Sequence, residues 1–320
     1  MITKQQENLN SKILSHQNDH DIEKLKYLIE EYKRKIIEAG DKTHVTVEQQ
    51  LQFIDKLLEF PLGEFILTNR GTNGYWTDYM IEHQYHNRFK GTDTEGRQLT
   101  PLEKIFLDRF PMVVATQQRA VHFSRILQSH VREEAVMASL PCGLMRDLLA
   151  LDFSGVKNFK LVGIDIDDQS LNYAKNLAEE YHLSFHVELY QYDAWNQPFE
   201  NYFTVLTSNG LSVYEPDDDR VTDLYRQFFK ALKPGGTLVT SFITPSPDMD
   251  PNSEWNMDAI DWSAMLQQKL LYTDILNFNP KGLRSSTTTK TQLSKVGFEN
   301  LELIWDEAQI FPTIIAHKPQ

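Results

Sequence analysis

The chain has 320 residues and carries 45 acidic against 32 basic side chains, a formal net charge of −13. That field repels phosphate backbones and no basic run offsets it, so nucleic acid is not an expected partner. Apolar residues make up 41% of the chain, but no apolar run approaches the roughly 20 residues needed to cross a bilayer, so a globular fold without a membrane span is expected.

The opening stretch, Met1 to about His20, is rich in Asn, Gln and Ser and reads as frayed or loosely helical. It lacks the apolar stretch of a signal peptide. A single cysteine, Cys142, excludes an intrachain disulfide. Both features point to a cytoplasmic protein.

Ile22, Leu25, Leu28, Ile29, Tyr32 and Ile36 follow helical spacing, with Asp21 placed to cap the start and Gly40 to stop it. A second helix is expected from Thr46 or Val47 to Phe60, with Leu51, Ile54, Leu57 and Leu58 on one face and Pro61 ending the pattern. In Arg70–His83, Gly71 and Gly74 bracket a turn ahead of Tyr75, Trp76 and Tyr79. Those aromatics are either the core of the helix that follows or a wall of a ligand site. His86–Arg97 is loop-like. Thr100-Pro101 opens a helix to about Phe110, and another is expected from Val113 to about His130. Residues 1–132 therefore read as an all-helical section, a cap or a region for a substrate or partner.

From Glu134 strands and helices alternate, the pattern of a mainly parallel α/β sheet over 133–320. Strands are expected at Ala135–Leu140, Phe159–Ile164, Ser184–Leu189, Phe203–Thr207, Thr237–Phe242, Leu301–Asp306 and Phe311–His317, the last two pairing as an antiparallel hairpin. Helices are expected at about Leu144–Leu151, Asp168–His182, Asp217–Leu232, Ala259–Phe278 and Thr287–Val296. Residues 244–280 form an insertion that opens with an irregular Pro-rich loop. The Glu134–Asp168 stretch reads as strand, Gly-containing turn, helix, strand and acidic cluster, a unit whose carboxyl edge binds ligands. The histidines are scattered. His83 and His86 are close together but no third ligand stands near, so no metal centre is expected.

The order of these pieces resembles the class I S-adenosylmethionine-dependent methyltransferase family over about Glu134–Lys318. Ala135–Met145 stands at the family's Gly-rich motif I, and Asp165 ends strand two as the family's ribose-binding acid does. Tyr192-Asp193-Ala194 follows strand three, and Leu206–Gly210 ends strand four. Leu232–Leu238, with its Lys-Pro-Gly-Gly turn, leads into strand five, and Thr291–Phe298 precedes strand six. The departure is in motif I. Ser139 replaces the acid, Pro141 the first Gly and Met145 the third, leaving Gly143.

The resemblance implies a seven-stranded, mainly parallel Rossmann-like sheet with an antiparallel C-terminal hairpin. It implies S-adenosyl-L-methionine as cofactor and methyl transfer to a small-molecule acceptor. The cofactor-binding residues it implies are Ser139, Pro141, Gly143, Asp165, Ile166, Asp193, Ala194, Ser208 and Asn209. Asp165 has a competing reading as a helix cap, and Asp193 as a loop carboxylate that bonds its own backbone. Arg146 either meets the methionine carboxylate or lies on an exposed helix face. Trp195 or Tyr192 would cover the adenine. Tyr75, His122 and Tyr214 are candidates for a base, and Cys142 reads as a packing residue. The alternative function is a non-catalytic protein that keeps the fold and binds the cofactor or a partner.

Overall fold

The computed structural model describes residues 19–278 and 280–320. The frayed segment expected up to about His20 lies outside the described residues up to position 18, as does the side chain of Asp21, the expected cap. The chain forms two compact units, one from residues 1–113 with 261–279 and the other from 114–260 with 280–320.

The first unit is helical: α1 Asp19–Ala39, α2 Val47–Leu57, α3 Pro61–Asn69, α4 Gly74–Glu82 and α5 Pro101–Arg109. Thr46 and Thr100 begin α2 and α5 with reciprocal capping boxes to Gln49 and Glu103. Pro61 does not merely end the preceding helix. It opens α3, because a proline at the first helical position gives up a donor that has no partner there. Gly74 lies inside α4 rather than in a turn, since the Asn73 side chain accepts from Trp76 N–H and starts the helix one residue earlier. Trp76 packs against Phe65 and Tyr79, and Tyr79 donates to Oε1 of the fully buried Glu103. Arg97 grips the same carboxylate with two nitrogens. The expected helix Ala259–Phe278 is an α-helix from Trp262 to Lys269 continued by a π-helical turn to Ile275. Its Ala264, Leu270, Leu271 and Ile275 share one core with Ile54, Leu57 and Phe106.

The second unit holds most of α6, Pro111–Gln128, then β1 Ala135–Ser139, α7 Arg146–Leu149, β2 Phe159–Asp165, α8 Asp168–Glu180, β3 Val187–Gln191 and β4 Phe203–Ser208. After these come α9 Asp218–Ala231, β5 Leu232–Ser241, a helix Ser286–Val296, β6 Glu299–Ile304 and β7 Thr313–His317. The strands lie in the order β3-β2-β1-β4-β5-β7-β6, with β7 antiparallel to both neighbours and the other pairs parallel. The strand expected at Ser184–Leu189 begins three residues later, because Ser184–His186 form a 3₁₀ turn. Interior strands read as apolar runs because helices cover both faces. One face packs Met137, Val205 and Val239 against Phe123 and Leu127 of α6, together with Leu171 of α8. The other packs Leu206 and Leu238 against Leu224 and Phe228 of α9 and Leu293 of the Ser286–Val296 helix.

Candidate active site

β1 has β2 on one side and β4 on the other, so the strand order reverses there, and α/β sheets bind ligands outside the carboxyl ends of the strands at such a point. The turn after β1 is tied to its neighbours by backbone bonds. Leu140 N–H donates to Thr207 O and Cys142 N–H to Ile164 O. Gly143, at φ +49°, donates its N–H to Asp165 Oδ2 at 2.9 Å. Met145, the residue in place of the third glycine, adopts the left-handed conformation at φ +60°. Its side chain is fully buried and turns down into the core. Space for it comes from β2, since a Cβ on Gly163 would stand 3.0 Å from Met145 Sδ and 3.2 Å from Cys142 Sγ. The lost glycine is thus compensated one strand away, and the methionine does not fill the outer side of the turn.

Asp165 ends β2 almost fully buried and also accepts the N–H of Asp167 at Oδ1, 3.0 Å away. A carboxylate offers about four acceptor positions, so two remain for a ligand. The capping role belongs instead to Asp167, which accepts from the backbones of Gln169 and Ser170. Beside Asp165, Ile166 is 68% exposed. After β3, Asp193 is exposed and takes Trp195 N–H on Oδ1, which starts a short 3₁₀ turn, while Ala194 is buried. Tyr192 remains partly open and stacks on Tyr190.

A group that the sequence did not single out stands next to this edge. Asp147, in the first turn of α7, is bonded by the Ser139 hydroxyl at 3.0 and 3.2 Å and by Asn209 Nδ2 at 3.0 Å. Ser139, where the family has an acid, therefore holds a carboxylate that arrives from eight residues later. Burial raises the Asp147 carboxyl above the usual range, opposed by the bonds from Ser139 and Asn209. The other end of the Asn209 amide accepts from Arg119 Nη1 of α6 at 2.5 Å. No local motif marks Arg119 or Asp147; the contact between Arg119 and Asn209 spans 90 positions of sequence.

Arg146 points outward and bonds the Tyr181 hydroxyl. Ser208 is fully buried. Tyr75 lies in the first unit, edge-on to Trp76. His122 is one turn beyond Arg119 on α6, with Nδ1 buried and unpartnered. Burial, followed by Arg125, lowers its pKa. Tyr214 is 79% exposed at the end of a 3₁₀ turn, Leu211–Tyr214. His83 pairs with Asp108 at 2.8 Å. Among the described residues, no group of three or more His, Cys, Asp or Glu could hold a metal ion, and no helix is long and apolar enough to cross a membrane.

Residues 139–236 match the family model described as a methyltransferase domain. A carboxy-S-adenosyl-L-methionine synthase of Actinobacillus succinogenes is 25% identical over 169 residues, covering 50% of this chain and 67% of that protein. Over residues 139–236 the chain carries a class I S-adenosylmethionine-dependent methyltransferase domain. A solved structure from Bordetella parapertussis, described as a possible exported protein, is 41% identical with a TM-score of 0.87, covering 96% of this chain and 98% of its own. The methyltransferase SibL shares the fold, with a TM-score of 0.51 at 14% identity over 85% of this chain and 73% of its own.

S-adenosyl-L-methionine is the cofactor of this family, and the donor set of this methyltransferase domain suits its chemistry. Asp165 keeps acceptor capacity for a diol beside the exposed apolar side chain of Ile166. Asp147 offers a carboxylate for a cation.

Proposed function

We propose that the second unit binds S-adenosyl-L-methionine along the carboxyl edge of β2, β1 and β4 and transfers its methyl group to a small-molecule acceptor. The observation that carries this reading is Asp165. A carboxylate fixed by the Gly143 and Asp167 N–H groups keeps two acceptor positions at the end of a central strand. Asp165 takes the ribose hydroxyls. Asp193 and the backbone of Ala194 take the adenine edge, with Ile166 and Tyr192 against its faces. Ser139, Pro141 and Gly143 shape the turn under the cofactor, and Ser208 and Asn209 flank its sulfur end. Asp147, oriented by Ser139 and Asn209, takes the methionine ammonium in place of the missing motif I acid.

When bound, the cofactor supplies a methyl group made electrophilic by its sulfonium. The chain's own contribution is to align an acceptor behind that carbon, where orientation gives most of the acceleration. Where the acceptor must lose a proton, His122, whose pKa burial lowers and whose Nδ1 has no partner, is the candidate to accept it, with Tyr214 the other in this unit. The helical first unit is the candidate region for a substrate or partner. The single, buried cysteine fits a cytoplasmic setting.

Calorimetry with S-adenosyl-L-methionine and with S-adenosylhomocysteine tests the reading, and the expected result is binding of both. Failure of both to bind at millimolar concentration overturns it. The substitutions in motif I favour a second reading, a protein that binds the cofactor without turnover. Demethylated product formed from labelled cofactor across a panel of small nucleophiles would reject that reading.

A further inference from the structure

Resting on that reading, we propose that the methyl acceptor carries a carboxylate, and that Arg119 of α6 receives it above the carboxyl ends of β5 and β7. The register of the sheet puts the relevant side chains on one face. Thr207 of β4 pairs with Val239 of β5, and Val239 with Ile315 of β7; two residues along, Ser241 pairs with Thr313. Side chains two apart on a strand share a face, so Ser241 and Thr313 lie on the face that packs Val239 and Ile315 against α6.

Three unsatisfied groups belong to this face and to the helix packed on it. Ser241 and Thr313 are fully buried and their hydroxyl oxygens have no partner. Arg119 is 4% exposed and its Nε–H has no partner either. Its guanidinium lies 4.4 Å over the Phe311 ring and gives Nη1 to Asn209. The turn after β4 links Phe311 to Ser241, because a Cβ on Gly210 would come 2.8 Å from the Phe311 ring and 3.8 Å from Ser241 Oγ. Native interiors rarely leave buried donors unpaired, and a buried cation is costly without a counter-charge. Asp147 reaches Arg119 only through the Asn209 amide. A carboxylate bonded to Nε–H and to the two hydroxyls satisfies all three groups at once. Burial draws the guanidinium down to about 10, the direction expected of a cation short of partners.

The cofactor also has a carboxylate, and strand spacing separates the two sources. From β2, where Asp165 marks the ribose, β5 is three strands away and β7 four, roughly 14 and 19 Å at about 4.8 Å per strand. In the pose proposed above the methionine tail would run from the ribose at Asp165 toward Asp147, beside β1 and β4, so Ser241 and Thr313 would lie beyond the sulfur.

The test titrates the full chain, saturated with S-adenosylhomocysteine, with benzoate and pyruvate as probes and with benzamide as the uncharged control. Benzoate or pyruvate should bind and benzamide should not. Arg119→Gln should weaken carboxylate binding at least tenfold, and S241A and T313V, which remove only hydroxyls and should keep the fold, three- to tenfold each. S-adenosylhomocysteine affinity should change less than twofold in S241A and T313V, whose hydroxyls make no bond to the Asn209–Asp147 pair. Two outcomes overturn the proposal: no carboxylate binding to the wild-type complex, or a loss of S-adenosylhomocysteine affinity in Arg119→Gln, S241A and T313V equal to the loss for benzoate, which would assign the site to the cofactor. Failure of S-adenosylhomocysteine to bind the wild type is a separate result that overturns the methyltransferase reading, and benzoate titration of the cofactor-free chain then still reads the Arg119 site.

Discussion

Replacing Asp165 with alanine should damage folding and cofactor binding together, and the structure says by how much. The carboxylate accepts two backbone N–H groups, from Gly143 at 2.9 Å and from Asp167 at 3.0 Å. Hydrogen bonds to a charged group contribute about 1.5–3 kcal/mol each. Both bonds lie at a partly buried edge, where water replaces some of what is lost, so the lower end applies and the total is about 3 kcal/mol. For a unit of this size each kcal/mol moves the melting temperature by about 2–4 °C, so a drop of roughly 6–12 °C is expected by scanning calorimetry. Asp165→Asn keeps one acceptor oxygen and should lose roughly half as much. S-adenosylhomocysteine affinity should fall about ten- to hundredfold in the alanine variant, the cost of removing a charged acceptor from the ribose. An alanine variant that melts with the wild type and binds S-adenosylhomocysteine equally well would refute both the structural role and the ribose assignment.

Gly163→Ala places a Cβ 2.6 Å from Leu189 Cδ2 and 3.0 Å from Met145 Sδ. It should cost about 1–3 kcal/mol in denaturant titration and lower cofactor affinity by moving the turn that carries Gly143. Burial raises the Asp147 carboxyl, so it takes up a proton at higher pH than an ordinary aspartate. The ionised form is the one that pairs with an ammonium. Affinity for S-adenosylhomocysteine should therefore decline as the pH falls through that raised value, and Asp147→Asn should flatten that part of the profile. An unchanged profile in the variant would remove Asp147 from the cofactor site. The Cys142 thiol is raised well above its ordinary value by burial, with Asp165 and Asp147 adding to the effect. It should resist iodoacetamide in the native protein and react once guanidinium unfolds the chain.

Much of the fold was legible because local chemistry carries it. Thr46 and Thr100 announce helix starts through capping boxes. Gly297 announces a helix end by adopting a left-handed conformation, φ +113°. The apolar strands place the sheet, but Lys233–Gly236, expected as a turn ahead of strand five, lies within β5, which begins at Leu232 and shifts register against β4 there. Boundaries slipped where two local signals competed. Pro61 was read as a stop and is a start. The strand expected from Ser184 opens instead with a 3₁₀ turn, Ser184–His186, before β3 begins.

By itself, the sequence determined the alternation of strands and helices, the family resemblance and the position of Asp165, because periodicity, turn chemistry and motif order are short-range properties of the chain. The tertiary structure alone decided the rest. Met145 is tolerated in motif I because Gly163, on another strand, makes room for it. The carboxylate missing at Ser139 returns from Asp147, and Asn209 joins Asp147 to Arg119. The residues from Trp262 to Ile275 fill the core of the first unit although they follow β5 of the second. Each of these depends on which distant segments the sheet order and register bring together. A buried polar group finds its partner through that packing, and not through its neighbours in the chain.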